Sequence, residues 1–306
     1  MSARRIVLGL VFLGATLLPT SQAIAAKLQS KTVRAWDRYV ALIEERIENE
    51  LESGDGFLVR EFLPTEQAEQ CEQTIDWGGI CVAAMETRDK DGRAVGIPSG
   101  MVHHWMGSVF IPDVSLQDLL EWVQNYSQHD EWFPEVEESR LLARDGDSFQ
   151  IFLRLKRQKV VTVFYNTEHD VEYRRHGPNE VSGRSGATRI AQVENPGEEG
   201  EREKAVGNDS GFLWRLNSYW RYQQVDGGVV VECESIGLSR GIPVAVKWLV
   251  SPFLQSVPRE SLESTLSSIR QGSRQLATDA RRKLTDPPTP PVRVSPGTGG
   301  YGAVSP

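Results

Sequence analysis

Two Asp-Gly dipeptides, Asp145-Gly146 and Asp226-Gly227, each stand between segments in which apolar and polar residues alternate. Asp-Gly supplies the positive φ angles of a two-residue hairpin turn, so each site should fold its flanks into antiparallel strands. At the second turn the register follows from the sequence: Arg221 faces Glu232, Tyr219 faces Glu234 and Trp220 faces Cys233. Alternation then sorts this hairpin into two faces. One carries Trp214, Leu216, Ser218, Trp220, Tyr222, Val229, Val231 and Cys233; the other carries Arg215, Asn217, Tyr219, Arg221, Glu232 and Glu234. The apolar face is expected to turn inward. Arg221–Glu232 would then be a solvated cross-strand pair worth under about 1 kcal/mol. The alternative is that a lid or the N-terminal part of the chain covers the outer face as well.

More strands flank this hairpin. MVHHWMGSVFIP is aromatic, β-branched and closed by a proline, and VVTVFYNTEHDVEY alternates with Val161, Val163, Tyr165, Thr167, His169 and Val171 on one face. Helical spacing marks Thr32 to Leu51, with Trp36, Tyr39, Ile43 and Ile47 on its apolar side. It also marks a helix opened by Asp113 or Ser115, and a final helix bearing Leu262, Leu266 and Ile269. GFLVREFL reads as a short strand. Residues 99–278 form the main domain, residues 26–98 an N-terminal extension packed against it, and 286–306 a proline- and glycine-rich disordered tail. The expected fold is α+β: a curved antiparallel sheet wrapping a long C-terminal helix, with a gap between them suited to an apolar ligand.

Arg4 and Arg5 precede the apolar run Ile6 to Leu18, and Ala23-Ile24-Ala25 offers a cleavage site. This is the signature of a secretory signal peptide over residues 1–25, so the chain is expected to be exported, periplasmic or secreted, with no stable membrane insertion after cleavage. The net charge of −8 argues against a nucleic-acid partner. Of the three cysteines, Cys71 and Cys81 flank an Asp76-Trp77-Gly78-Gly79 turn. They are either a hairpin-stapling disulfide, which export permits, or two free thiols. Cys233 reads as a buried small hydrophobe.

The segments HHWMGSVFIPDVSLQDLLEW, VVTVFYNTEHDVEY and SGFLWRLNSYWRYQQVDGGVVVECESIGLSRGIP, in this element order, resemble the START-like, helix-grip superfamily. That superfamily includes the birch pollen allergen, lipid-transfer proteins and polyketide cyclase/dehydrases, and the likeness extends to an exported bacterial subgroup. It covers about residues 99–275. It implies the helix-grip fold and a hydrophobic small-molecule ligand such as a lipid, isoprenoid or aromatic metabolite. The fold hosts carriers and enzymes alike.

The expected ligand-binding residues are Trp105, Tyr165, His169, Trp214, Trp220, Tyr222 and Trp248, with Phe253 near the mouth. Arg215 or Arg221 would hold an anionic head group if the polar face lines the pocket. Release would move the kinked helix near Pro252 and Pro258, or the charged loop at 195–210. Under an enzymatic alternative, His103, Tyr165 or His169 serve as acid–base groups. Under a third reading, the N-terminal helix and the acidic loop contact a protein partner. GLSRG matches the G-x-S-x-G nucleophile elbow, but all five histidines precede Ser239 and hairpins replace the strand–helix repeats an elbow needs. It reads as a strand end and hinge. His103 and His104 are adjacent on a strand, point to opposite faces and cannot chelate jointly, and neither HExxH nor paired CxxC occurs; no metal or other cofactor is expected.

Overall fold

The computed structural model describes residues 26–158, 162–241 and 256–274. The expected signal peptide and tail, with Trp248, Pro252 and Phe253, therefore lie outside the described residues. The chain begins with β1 (Ala26–Lys27), α1 (Ser30–Ser53) and α2 (Thr65–Asp76). Next come β2 (Ile80–Ala84), β3 (Gly100–Pro112), α3 (Leu116–Val123) and α4 (His129–Trp132). The strands β4 (Val136–Asp145), β5 (Ser148–Gln158), β6 (Thr162–Arg175) and β7 (Glu180–Glu194) succeed them. After these are β8 (Arg202–Glu203), β9 (Asn208–Asp209), β10 (Arg215–Val225), β11 (Gly228–Arg240) and a last helix, α5, at 256–274.

The main sheet runs β2-β3-β11-β10-β7-β6-β5-β4, every pair antiparallel, with β8 added to β7. Both Asp-Gly turns close hairpins, and Arg221↔Glu232, Tyr219↔Glu234 and Trp220↔Cys233 pair in the register read from the sequence. A bulge between Glu168 and His169 breaks the β6–β7 register, the kind of insertion that bends a strand. The sheet curves around α5, giving the helix-grip architecture. On this inner face Leu262, Leu266 and Ile269 of α5 pack with Val109, Val231, Cys233 and Tyr222. Gly107 lets the helix come close: a Cβ there would lie 2.6 Å from Leu266 Cδ1. Ser115 caps α3 by accepting the Asp118 N–H at 3.1 Å.

The outer face is also covered. Trp36, Tyr39 and Ile43 of α1 pack on Tyr219, Ile236 and Leu238, and α2 lays Cys71 and Ile75 against Met106. The molecule is therefore three layers, helix on sheet on helix. Two local expectations are corrected. GFLVREFL is not a strand; Val59–Phe62 is a short 3₁₀ turn, because the Glu61 carboxylate accepts the Phe57 and Leu58 N–H groups at 2.6 and 2.9 Å. Cys71 and Cys81 are bonded, with Cα atoms 5.1 Å apart, but the disulfide ties helix α2 to strand β2 rather than stapling a hairpin. Cys71 and Ile75 are four residues apart, a helical spacing that buries both.

Candidate ligand-binding site

The inner face carries two apolar clusters. One lies under α5; the other gathers Leu155, Val163, Tyr165 and Ile190. Beside them, register places two rows across the strands in which half of the residues are small. The first row is Trp105, Ser235, Ser218, Ser185 and Val171. The second has His103 beside Gly237, then Leu216, with Ala187 beside His169 on the far side. Among the described residues nothing fills the floor at Gly237: a Cβ built there would have its nearest described neighbours, Arg215 O and Leu213 Cδ1, at 3.9 Å. Trp105, Trp220 and Leu153 are only half-buried although they border the core. Large side chains at the margins and, Leu216 apart, small ones between them make a trough.

Its polar groups are neutral. His169 is buried, with Nε2 3.0 Å from Thr167 Oγ1 and Nδ1 3.5 Å from Ser185 Oγ, and burial pushes its imidazole down to about 4. Burial does the same to His103, also to about 4. Tyr165, almost fully buried, has its phenol pushed well up by burial, which suits a packed ring better than a proton donor.

His103 Nε2 lies 2.9 Å from Ser239 Oγ, so a serine and a histidine do meet. Ser239 nevertheless sits within β11, not on an elbow. The next two amides, of Arg240 and Gly241, already donate to Gly211 O at 2.7 Å and Ser99 O at 2.8 Å, which leaves neither to receive an oxyanion.

The structure distributes the other expected site residues differently. Tyr222 is in the core beneath α5, 2% exposed. Trp214 departs from the alternation: it precedes β10, packs with the α1 cluster, and donates from Nε1 to Asp209 Oδ1 at 3.2 Å. Arg215 and Arg221 face outward, away from the trough. Arg221 is not solvated. It is 2% exposed and donates to Glu50 Oε2 at 2.5 Å and Phe57 O at 2.8 Å, because α1 roofs the outer face. The 195–210 segment is no lid over the trough either. Its Glu201 and Glu203 bind Arg154, Asn166 and Arg189, whose register alternates away from the inner-face residues, and Asn208–Asp209 pairs with β1.

Sequence reasoning missed a buried ionic network under α1. Glu234 Oε1 is 2.7 Å from His104 Nε2 and also accepts from Arg46, while His104 Nδ1 is 2.9 Å from Tyr39 Oη. Burial alone would raise the Glu234 carboxyl; the hydrogen bond from His104 and the charge of Arg46 outweigh it and hold it at about 2. Glu232, fully buried, goes the other way. Burial lifts it to about 7, against partial relief from Ser108, Arg60 and Arg221. The available signal was the apolar Tyr219, Ile236 and Leu238 on the same outward face, which needed a cover. Among the described residues no group of His, Cys, Asp and Glu could hold a metal ion.

No family model and no curated protein sequence matches the chain. Solved structures do resemble it. A STAR-related lipid transfer protein from Xanthomonas axonopodis is 17% identical, with a TM-score of 0.42, over 62% of this chain and 98% of that one. The Zhui aromatase/cyclase from Streptomyces gives 12% identity and a TM-score of 0.37 over 60% and 96%. Human STARD10 gives 11% and 0.40 over 72% and 85%. Such distant likenesses carry no argument about chemistry, which has to come from the trough.

Proposed function

We propose that this protein binds, and hands on, a hydrophobic small molecule held in the trough between the inner face of the sheet and α5, outside the cytoplasm. The observation that carries the reading is the run of small residues Ser235, Ser218 and Ser185 across three strands, with the open position at Gly237 beside it and half-buried Trp105 and Trp220 at its border. A packed sheet-on-helix core would fill such a floor with large side chains. An apolar ligand inserted there gains about 0.8 kcal/mol per buried methylene before association costs. The bonded Cys71–Cys81 pair and the leader-like first 25 residues support the location. Native mass spectrometry of the full chain, purified without detergent and extracted with organic solvent, tests the reading. One co-purifying hydrophobic molecule per chain is expected, with occupancy falling in Gly237→Leu. A protein that arrives empty and takes up no pyrene overturns it.

A further inference from the structure

The trough rows contain no charged side chain. His103 and His169 are the only residues in them able to carry charge, and desolvation disfavours the cationic form of each. Charges on the same strands alternate to the outer face, where Arg221, Glu232 and Glu234 are roofed by the N-terminal extension. Arg157, which does face inward beyond the rows, is held by Glu135 and Ser261. A carboxylate or phosphate entering the rows would therefore lose its hydration with no counter-charge among the described residues, at several kcal/mol.

Hydroxyls, by contrast, are plentiful and unspent. Ser218 and Ser235 are directly paired on β10 and β11, half-buried, and neither Oγ has a protein hydrogen-bond partner among the described residues. Ser185 continues the row on β7, and its contact to His169 is long, at 3.5 Å. His103 Nδ1 likewise has no protein partner among the described residues, since its hydrogen bond to Ser239 uses Nε2. A serine hydroxyl both donates and accepts, and a neutral imidazole offers one of each, so together they match hydroxyl and carbonyl oxygens along a molecule's length.

We infer that the ligand is an uncharged, oxygen-bearing hydrophobe, with hydroxyl or ketone groups aligned on the Ser185–Ser218–Ser235 row, rather than an amphiphile with an ionic head group inside the trough. This inference rests on the binding function proposed above. Fluorescence titration of the full chain with three probes of one shape tests both separately: pyrene, 1-hydroxypyrene and pyrene-1-carboxylate. 1-Hydroxypyrene should bind about 3- to 10-fold more tightly than pyrene, the worth of one net hydrogen bond, and the carboxylate should bind most weakly. In S218A/S235A the affinity for 1-hydroxypyrene should fall to that for pyrene on the same variant. Equal binding of pyrene and 1-hydroxypyrene, or tightest binding of the carboxylate, overturns the inference and leaves hydrophobic binding standing. An intact hydroxyl preference in the double variant overturns it as well. If that variant fails to fold by near-UV circular dichroism, the ranking on the natural chain decides. Failure of all three probes to bind overturns the function itself.

Discussion

The Arg221 guanidinium on β10 donates to Glu50 Oε2 on α1 at 2.5 Å, and the two side chains are only 3% and 9% exposed. Removing one partner strands a buried charge. Glu50→Ala should therefore destabilise the protein by about 3–5 kcal/mol, whereas replacing both by apolar residues of similar size, E50L/R221M, should cost much less. Urea denaturation of the single and double variants checks this. A single-variant loss under about 1 kcal/mol would mean that the pair behaves as a solvated one.

Two glutamates on β11 should leave opposite marks on stability against pH. Glu234 is held at about 2, below its unfolded value, so its contribution is present above about 4.5 and lost as pH falls toward 2. Glu232 is raised to about 7, so its contribution is complete below about 4.5 and lost as pH rises through 7. Urea midpoints of Glu232→Gln and the natural chain, tracked from acid to neutral pH, should diverge as pH rises, by on the order of 3 kcal/mol. Parallel curves would show that Glu232 is already ionised in mild acid.

The disulfide closes a short loop, with a sequence separation of 10, so losing it through C71S/C81S should cost roughly 2–3 kcal/mol. Hydrogen exchange should quicken in α2 before it quickens in β3. Thiol titration of the denatured, unreduced protein should find Cys233 alone.

Gly107 and Gly237 are both inner-face glycines, yet they should respond oppositely to enlargement. At Gly107 a new Cβ meets Leu266 at 2.6 Å, so Gly107→Val should overpack the α5 contact and cost about 1–3 kcal/mol. At Gly237 the nearest atoms of the described residues are 3.9 Å away, so Gly237→Leu should leave the urea midpoint nearly unchanged while reducing ligand uptake. A large stability loss at Gly237 would mean that the trough is already filled.

How much of this was legible depended on how local each signal was. The β10–β11 register was readable because Asp226-Gly227 admits few turn geometries, and alternation then carried it along both strands. The amphipathic stripe of α1 was equally plain. What α1 covers was not, since alternation distinguishes two faces without saying whether the polar one meets water. Glu232 and Glu234 looked like surface charges for that reason, and their partners Arg60 and Arg46 are more than 150 residues away. Trp214 escaped because it lies one residue before the strand, where the Asp209 contact rather than the pleat directs its side chain. The trough itself depended on volumes: serines, alanine and glycine converging from separate strands leave no mark in any one segment.

β2 hydrogen-bonds to β3 over five residue pairs, and α1 seals the strands beyond it. A shortened version starting at Ser99 would keep every strand that lines the trough. It would also present water with a bare β3 edge, an apolar plate of Met106, Ile236 and Leu238, and carboxylates deprived of their arginine partners. Such a fragment is a template for aggregation. Anyone trimming this chain for crystals, fusions or labels should therefore cut ahead of Ala26, because the piece that looks like an accessory is half of the protein's insulation.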